Sequence, residues 1–246
     1  MRYFLEVSYK GTHFHGFQIQ GKEMTIQGEL EKALQLYFRE PFSLTGSSRT
    51  DAGVHALQNF FHFDSGKEIT DKQLYNLNAI LSEDIVIKSL RAVRENAHAR
   101  FDAEYREYQY NIYFKKDPFQ KETAWYYPFR MDVELLRSAA AKLLGTHDFS
   151  SFAKRNTQVR THICTIHKAE WTTTENGVCF TVAANRFLRG MVRALVATML
   201  KVGRGTYTLT DFDDIIAAQD CTVADFSAPA KGLFLRKVSF PDSIFL

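Results

Sequence analysis

The sequence has 246 residues, enough for one large domain or two of ordinary size. Hydrophobic residues make up 45% and charged residues 24%, which is typical of a folded globular protein and argues against a disordered or fibrous chain. The formal net charge is only +3, so any binding to nucleic acid would need a local basic surface.

Targeting and metal-binding signals are weak. Glu6 interrupts the apolar residues that follow Met1, and no apolar run approaches the roughly 18 residues of a membrane span. We therefore expect neither a secretory signal nor a membrane helix. The three cysteines, Cys164, Cys179 and Cys221, form no CxxC pair, which favours reduced thiols in the cytoplasm. No HExxH motif is present, and we expect no metal site.

The hydrophobic pattern of the first half predicts a βαββαβ order of elements. Thr25 and Thr70 are the expected N-caps of its two helices, and Gln73 completes a capping box with Thr70. In chain order we predict a strand at 3–9, a helix after Thr25, strands at 42–45 and 60–63, a helix after Thr70 and a strand at 85–93.

The second half again mixes strands and helices, which favours an α+β architecture. In chain order we predict a strand at 105–114, a helix from Asp132 to Gly145, a hairpin of 162–171 and 178–183, helices at 187–201 and 210–219 and a strand at 232–240. Asn176-Gly177 is the expected hairpin turn. A boundary near Ala103 would give two domains, 1–103 and 104–246.

Residues 47–56, Ser-Ser-Arg-Thr-Asp-Ala-Gly-Val-His-Ala, form the most informative segment. They lie between two predicted strands, and loops on a rigid scaffold often carry function. Arg49 stands two residues before Asp51, and the small residues that follow suggest a close backbone approach. Thr50 or Asp51 could equally cap an ordinary turn. The segment alone does not decide between these interpretations.

Basic residues cluster in two places in the second half. Arg186, Arg189 and Arg193 have the spacing of one helix face, which is either a solvated surface or a rail for phosphates. Lys154, Arg155 and Arg160 lie near the aromatic residues Phe149 and Phe152, a combination that suits an unstacked RNA strand.

Tyrosines alternate along the predicted strand at 105–114. Tyr108 and Tyr110 share one face of that strand, where they are either packed into the sheet or offer a surface on which an unstacked base can lie. The sequence pattern does not separate these two roles.

Residues 48–55 resemble the signature of the TruA-type tRNA pseudouridine synthases, which usually reads Gly-Arg-Thr-Asp-Ala-Gly-Val-His. The chain departs from that pattern at Ser48, where the family has Gly, and at Phe17, where it has Trp. Other segments resemble the family in the same order: Tyr9-Lys10-Gly11, Phe14 to Gln18, His98 to Phe101, Tyr108-Gln109-Tyr110, Asp148 to Phe152, Met191-Val192-Arg193 and Gly232 to Leu235.

The resemblance implies two ferredoxin- or RRM-like halves, with antiparallel sheets backed by helices and an active-site cleft between them. It implies isomerisation of uridine to pseudouridine at positions 38, 39 or 40 of the tRNA anticodon stem-loop. Such an enzyme needs no cofactor, takes tRNA as its partner, and works in the cytoplasm as a homodimer.

The resemblance also implies roles for individual residues. Asp51 would be the nucleophile, and Arg193 would favour its ionised form. Tyr108 would stack on the target base, and Arg49 would hold the RNA backbone or brace the loop. Further RNA contacts are expected from Phe17, Gln18, Arg186, Arg189, Lys154 and Arg155.

Two other functions fit parts of the pattern. An inactive RNA-binding protein or chaperone could keep the same scaffold, although binding alone would not need Asp51. A nucleotide hydrolase using Asp51 is disfavoured because the sequence has no P-loop and no motif of paired catalytic carboxylates.

Overall fold

A computed structural model describes residues 1–70, 72–155 and 159–246 of the chain. The fold class is α+β, as predicted, with mostly antiparallel strands and with helices interspersed among them along the chain. The chain divides into two compact units: residues 1–105 with 234–246 form the first, and residues 106–233 form the second. Among the described residues, no helix is both long and apolar enough to cross a membrane.

The strands and helices follow one another along the chain in a mixed order. They are β1 (Arg2–Tyr9), α1 (Ile26–Phe38), β2 (Thr45–Gly46), β3 (His55–Asp64), α2 (Lys72–Ile80), β4 (Ile85–Val93), β5 (Tyr105–Tyr113), β6 (Trp125–Tyr126), α3 (Val133–Ala141), β7 (Gly145–Asp148), β8 (Ile163–Thr174), β9 (Gly177–Ala184), α4 (Met191–Gly203), α5 (Leu209–Ala218) and β10 (Leu233–Ser239).

In the first unit, strands β4, β1, β3 and β2 are neighbours in that order, and each pair is antiparallel. This is the order of a ferredoxin-like βαββαβ unit. The short strand β2 pairs with Phe61 and His62 of β3. The start of β3 pairs in parallel with β10, where Phe234 lies opposite His55. Residues 234–246 therefore group with the first unit, whereas the sequence suggested that they follow the second half.

The local signals that start α1 agree with the structure. The Thr25 side chain accepts a hydrogen bond from the Gly28 N–H at 3.2 Å, so Thr25 is the N-cap that its position predicted. The face of α1 that carries Ile26, Leu30 and Leu34 is buried in the core. At the start of the second helix, the Gln73 side chain accepts from the Thr70 N–H at 2.9 Å.

In the second unit, the antiparallel strands follow the order β5, β9, β8 and β7. Strands β8 and β9 form the predicted hairpin, but Thr174 lies opposite Gly177, so the two turn residues are Glu175 and Asn176 rather than the predicted Asn176 and Gly177. A Cβ atom on Gly177 would lie 1.9 Å from the carbonyl oxygen of Ile112. Glycine is needed there because the backbone of β5 passes so close.

The structure corrects two predicted helix limits. Helix α4 begins at Met191 rather than 187, because Gly190 has a φ of 77° and forms the N-cap. Leu188 is buried before the helix starts, so the apolar pattern extends beyond the helix itself. Helix α3 ends at Ala141, and Gly145, with a φ of 97°, begins β7 instead of ending the helix.

Candidate active site

Asp51 begins a tight turn between β2 and β3. The Val54 N–H donates to the Asp51 carbonyl at 3.1 Å, and Gly53 adopts the positive φ of 77° that such a turn favours at its third position. Asp51 is partly exposed, and Arg49 is exposed. The turn therefore presents both charged side chains at the surface of the first unit while its ends remain buried.

The segment that follows β1 lies directly against this turn. A Cβ atom on Gly11 would lie 2.1 Å from the carbonyl oxygen of Val54, and one on Gly16 would lie 3.2 Å from that of Thr50. The Phe17 N–H donates to the Thr50 carbonyl at 3.1 Å. The glycines thus allow two loops to pack backbone to backbone.

A buried polar network centred on β3 supports the loop that precedes Asp51. Asn59 is at its centre: its Nδ2 donates to the Ser48 carbonyl at 3.0 Å and to the Tyr9 hydroxyl at 3.1 Å. The Ser47 hydroxyl donates to Asn59 Oδ1 at 2.7 Å, and the Tyr9 hydroxyl shares a hydrogen bond of 2.8 Å with Thr50 Oγ1. All five side chains are buried. The residues on both sides of Arg49 are consequently held in place.

The two departures from the family pattern cause no visible strain. Among the described non-glycine residues, only Arg39 and Gln219 have a positive φ, so Ser48 does not require a conformation that favours glycine. The Phe17 ring stacks on Phe61 with centroids 4.7 Å apart and is only 2% exposed. Phe17 therefore contributes packing beneath the loop, and the neighbouring Gln18 is exposed.

His55 lies at the start of β3, four residues after Asp51. Its Nδ1 accepts a hydrogen bond from the Gly11 N–H at 3.1 Å, and its ring stacks on Phe234 with centroids 4.5 Å apart. Because Nδ1 accepts, it carries no proton in this arrangement. His55 thus joins the segment after β1 to the strand that follows the turn.

Arg193 lies in the first turn of α4, in the second unit. Its Nε donates to the Ala228 carbonyl at 2.6 Å, which fixes the plane of the guanidinium. The Tyr110 hydroxyl donates to the next carbonyl, that of Pro229, at 2.7 Å. Burial raises the pKa of Tyr110, and the positive charge of Arg193 opposes that shift only partly. Tyr110 therefore remains a hydrogen-bond donor.

Tyr108 lies two residues earlier on β5, opposite Val182 of β9. Its ring is nearly perpendicular to that of Phe187, with centroids 5.0 Å apart, and the residue is 9% exposed. Most of the Tyr108 surface is thus used in packing, as is common for tyrosines on alternating strand positions.

The structure brings only some of the predicted basic residues together. The Lys154 N–H donates to the Arg189 carbonyl at 2.9 Å, and the Lys154 side chain lies against Gly190. Arg186 and Arg189 precede α4, so the predicted helix face shared with Arg193 is wrong. Arg155 and Arg189 are nevertheless exposed, as an RNA-binding role would require.

Arg186 is half-buried and lies near the Cys164 thiol. Burial raises the pKa of that thiol to about 11, and the charge of Arg186 opposes the shift. Cys164 is therefore a protonated core residue at neutral pH.

The role of Asn59 was not predicted from the sequence. The signal was available, because an amide side chain directly precedes the apolar residues of the strand predicted at 60–63, where a buried polar group needs hydrogen-bond partners. The identity of those partners could not be predicted, since Ser47 and Tyr9 are distant in sequence.

Comparison with known proteins gives consistent matches along the chain. A family model described as tRNA pseudouridine synthase matches residues 6–102 and 139–241. The tRNA pseudouridine synthase A of Parabacteroides distasonis is 43% identical over 246 residues, which cover 99% of this chain and 98% of that protein. The protein of the same name from Bacillus licheniformis is 40% identical over 245 residues, covering 98% of this chain and 99% of that protein.

Proposed function

Because the chain belongs to the tRNA pseudouridine synthase family and is an isomerase that acts on tRNA, we propose that Asp51 is its nucleophile. We further propose that its targets are uridines at positions 38, 39 and 40 of the anticodon stem-loop. The observation that carries the first proposal is the turn at Asp51, which is fixed by buried groups yet leaves the carboxylate partly exposed.

The reaction explains why an ionised carboxylate is needed. Isomerisation breaks the bond between ribose C1′ and base N1, turns the base, and joins C1′ to C5. The C5 proton is lost and N1 gains one, so no atoms are added overall. A carboxylate can attack C1′ of the ribose or C6 of the base, and both routes require its charged form.

We also propose roles for the remaining site residues. The positive charge of Arg193 would favour the ionised carboxylate, and its anchored Nε supports a fixed direction for the guanidinium. Tyr108 would stack on the target base. Phosphate contacts would come from exposed or half-buried residues: Arg49, Gln18, Lys154, Arg155, Arg186 and Arg189. The cytoplasm is the proposed compartment and a homodimer the proposed assembly.

Replacing Asp51 with Ala tests the nucleophile. We expect Asp51→Ala to reduce tritium release from C5-tritiated tRNA by at least about a thousandfold, because no other group replaces the attacking oxygen. The affinity for tRNA should stay within about threefold of wild type. Asp64→Ala, at the other end of β3, is the matched control and should release tritium normally.

Two results would contradict this assignment. Unchanged tritium release by Asp51→Ala would exclude the residue as nucleophile. A wild-type protein that binds tRNA without releasing tritium would instead support the inactive RNA-binding alternative. Transcripts carrying a single uridine at position 38, 39 or 40 would then identify the targets, and modification only elsewhere would refute the proposed positions.

Two substitutions test whether catalysis requires the positive charge of Arg193. We expect Arg193→Met to lower kcat by about a hundredfold or more, since the ionised nucleophile would lose its counter-charge. Arg193→Lys should retain more activity because it keeps the positive charge. Equal kcat values for the Lys and Met variants would show that the charge is not what catalysis requires.

A further inference from the structure

The buried amide of Asn59 on β3 is connected to the residues on both sides of Arg49. It is hydrogen-bonded directly to Ser48 and, through the Tyr9 hydroxyl, to Thr50. We propose that Asn59 is a positioning residue for the reaction, which fixes the backbone before Asp51 and thereby sets the direction of its carboxylate. The inference rests on the proposed role of Asp51 and assigns a new function to a residue outside the signature loop.

The orientation of the Asn59 amide follows from its backbone partners. The Phe60 N–H can only donate, and it lies 2.9 Å from Asn59 Oδ1. The Ser48 carbonyl can only accept, and it lies 3.0 Å from Nδ2. The amide therefore cannot be reversed without losing both bonds, and the Ser47 hydroxyl adds a third bond at Oδ1.

Asn59 also reaches the residue directly before Asp51. Its Nδ2 donates to the Tyr9 hydroxyl, which can then give its own hydrogen to Thr50 Oγ1. The Thr50 carbonyl is held separately by the Phe17 N–H at 3.1 Å. Thr50 is thus fixed through both its side chain and its backbone, which leaves little freedom for the start of the turn.

Burial makes the loss of any hydrogen bond in this network costly. Asn59 is 0% exposed, Ser47 2% and Tyr9 3%, so water cannot replace a lost partner without rearrangement. A buried polar group left without its hydrogen bond is costly, and a fully satisfied network specifies one conformation. The network therefore favours a single position of the loop.

Gln58 provides a matched control on the same strand. Its Nε2 donates to Glu6 at 2.9 Å, and its Oε1 accepts from the Val238 N–H at 3.1 Å. It is a neighbouring amide with two long-range hydrogen bonds, and both of these partners lie outside the loop. Its removal should disturb the sheet without moving Asp51.

The test compares Asn59→Leu with Gln58→Met in steady-state assays on C5-tritiated tRNA. We expect Asn59→Leu to lower kcat about ten- to hundredfold while the KM for tRNA stays within about twofold, because small displacements of a reacting group affect the chemical step. Gln58→Met should keep kcat within about twofold of wild type. Equal kcat in Asn59→Leu and wild type, or equal losses in both variants, would overturn the inference.

A second pair of variants serves if Asn59→Leu does not fold. Thr50→Val removes the hydroxyl that meets Tyr9, whereas Thr50→Ser keeps it. We expect the Ser variant to keep most of the wild-type kcat and the Val variant to lose it, and equal values would overturn the inference. Asp51→Ala in the same assay separates the two proposals: if it is inactive while Asn59→Leu is fully active, only the positioning role fails.

Discussion

Strand β3 carries polar clusters at both ends, and the two clusters differ in kind. The first end supports the Asp51 turn through Asn59, Ser47 and Thr50, none of which has an ionisable side chain. The other end holds His62 and Asp64, both of which titrate. The same strand therefore combines a pH-independent support for the candidate site with a pH-sensitive cluster.

The titratable end is built around the buried ring of His62. Its Nδ1 accepts from the Ala99 N–H at 3.2 Å, and its ring lies 4.5 Å from that of His98. Burial and the neighbouring His98 lower the pKa of His62 to about 4. Nearby, Arg2 and Asp64 form an ion pair with a shortest distance of 2.7 Å.

This contrast separates two effects that acid could have on the protein. Protonation of His62 would break its hydrogen bond to Ala99 and weaken the fold. The hydrogen bond from Asn59 to the Ser48 carbonyl should not change with pH, because neither group titrates. Stability and loop geometry should therefore respond differently to pH.

The largest expected effect comes from adding a side-chain atom at Gly11, where the backbone lies directly against the turn. Gly11→Ala should destabilise the protein by about 3 kcal/mol, because its Cβ would lie 2.1 Å from the Val54 carbonyl oxygen and backbone would have to move. Gly66→Ala, beyond the other end of β3, has no neighbouring atom within 4 Å and should change stability little. Urea unfolding would measure both, and equal stabilities would contradict the tight packing at the turn.

The His62 cluster should give a smaller effect that depends on pH. Because the folded-state pKa of His62 is about 4 against an ordinary 6.5, the unfolded chain binds more protons between these values. The free energy of unfolding therefore has its full value above about pH 6.5. It falls by about 2–3 kcal/mol as the pH falls toward 4.

A substitution tests this pH dependence. His62→Gln should flatten the fall in unfolding free energy between pH 6.5 and 4, as followed by urea unfolding at several pH values. Tyr9→Phe, which removes a hydroxyl from the network around Asn59, should lower stability by about 1 kcal/mol to a similar extent at each pH. An unchanged pH slope in His62→Gln would refute the role of that ring.

The smallest effect should come from the Arg2–Asp64 ion pair. The Asp64 side chain is 63% exposed, so Asp64→Asn should cost less than about 1 kcal/mol, and added salt should reduce the difference. Thermal unfolding at low and high salt would measure it. A large, salt-independent loss would show that this end of β3 is more tightly organised than its exposure indicates.

Local patterns predicted much of the fold. Strand β4 occupies the predicted residues Ile85–Val93, and Asp132 is the N-cap of α3, as its position before an apolar pattern indicated. The pairing of β10 with β3 could not be predicted, because contacts between distant segments leave no local pattern. Gly190 set the start of α4 through its backbone conformation, although the apolar pattern suggested an earlier start.

The candidate site was predicted less completely than the fold. The signature loop identified Asp51 and Arg49, but their proposed roles came from the family resemblance rather than from the residue pattern. Asn59 was missed because a strand position does not reveal the partners of a polar side chain. Phe17 was expected to contact RNA. Its stacking on Phe61 could not be predicted, because Phe61 belongs to a strand far along the chain.

The most direct test of the proposed nucleophile uses tRNA that contains 5-fluorouridine at the target position. Fluorine replaces the C5 hydrogen that must leave, so the reaction cannot reach product, and a carboxylate that has attacked C6 of the base should stay attached to it. Mass spectrometry of the digested complex should then find the nucleotide attached to Asp51, and Asp51→Ala should form no such adduct. Attachment to another residue, or equal adduct formation by Asp51→Ala, would contradict the account.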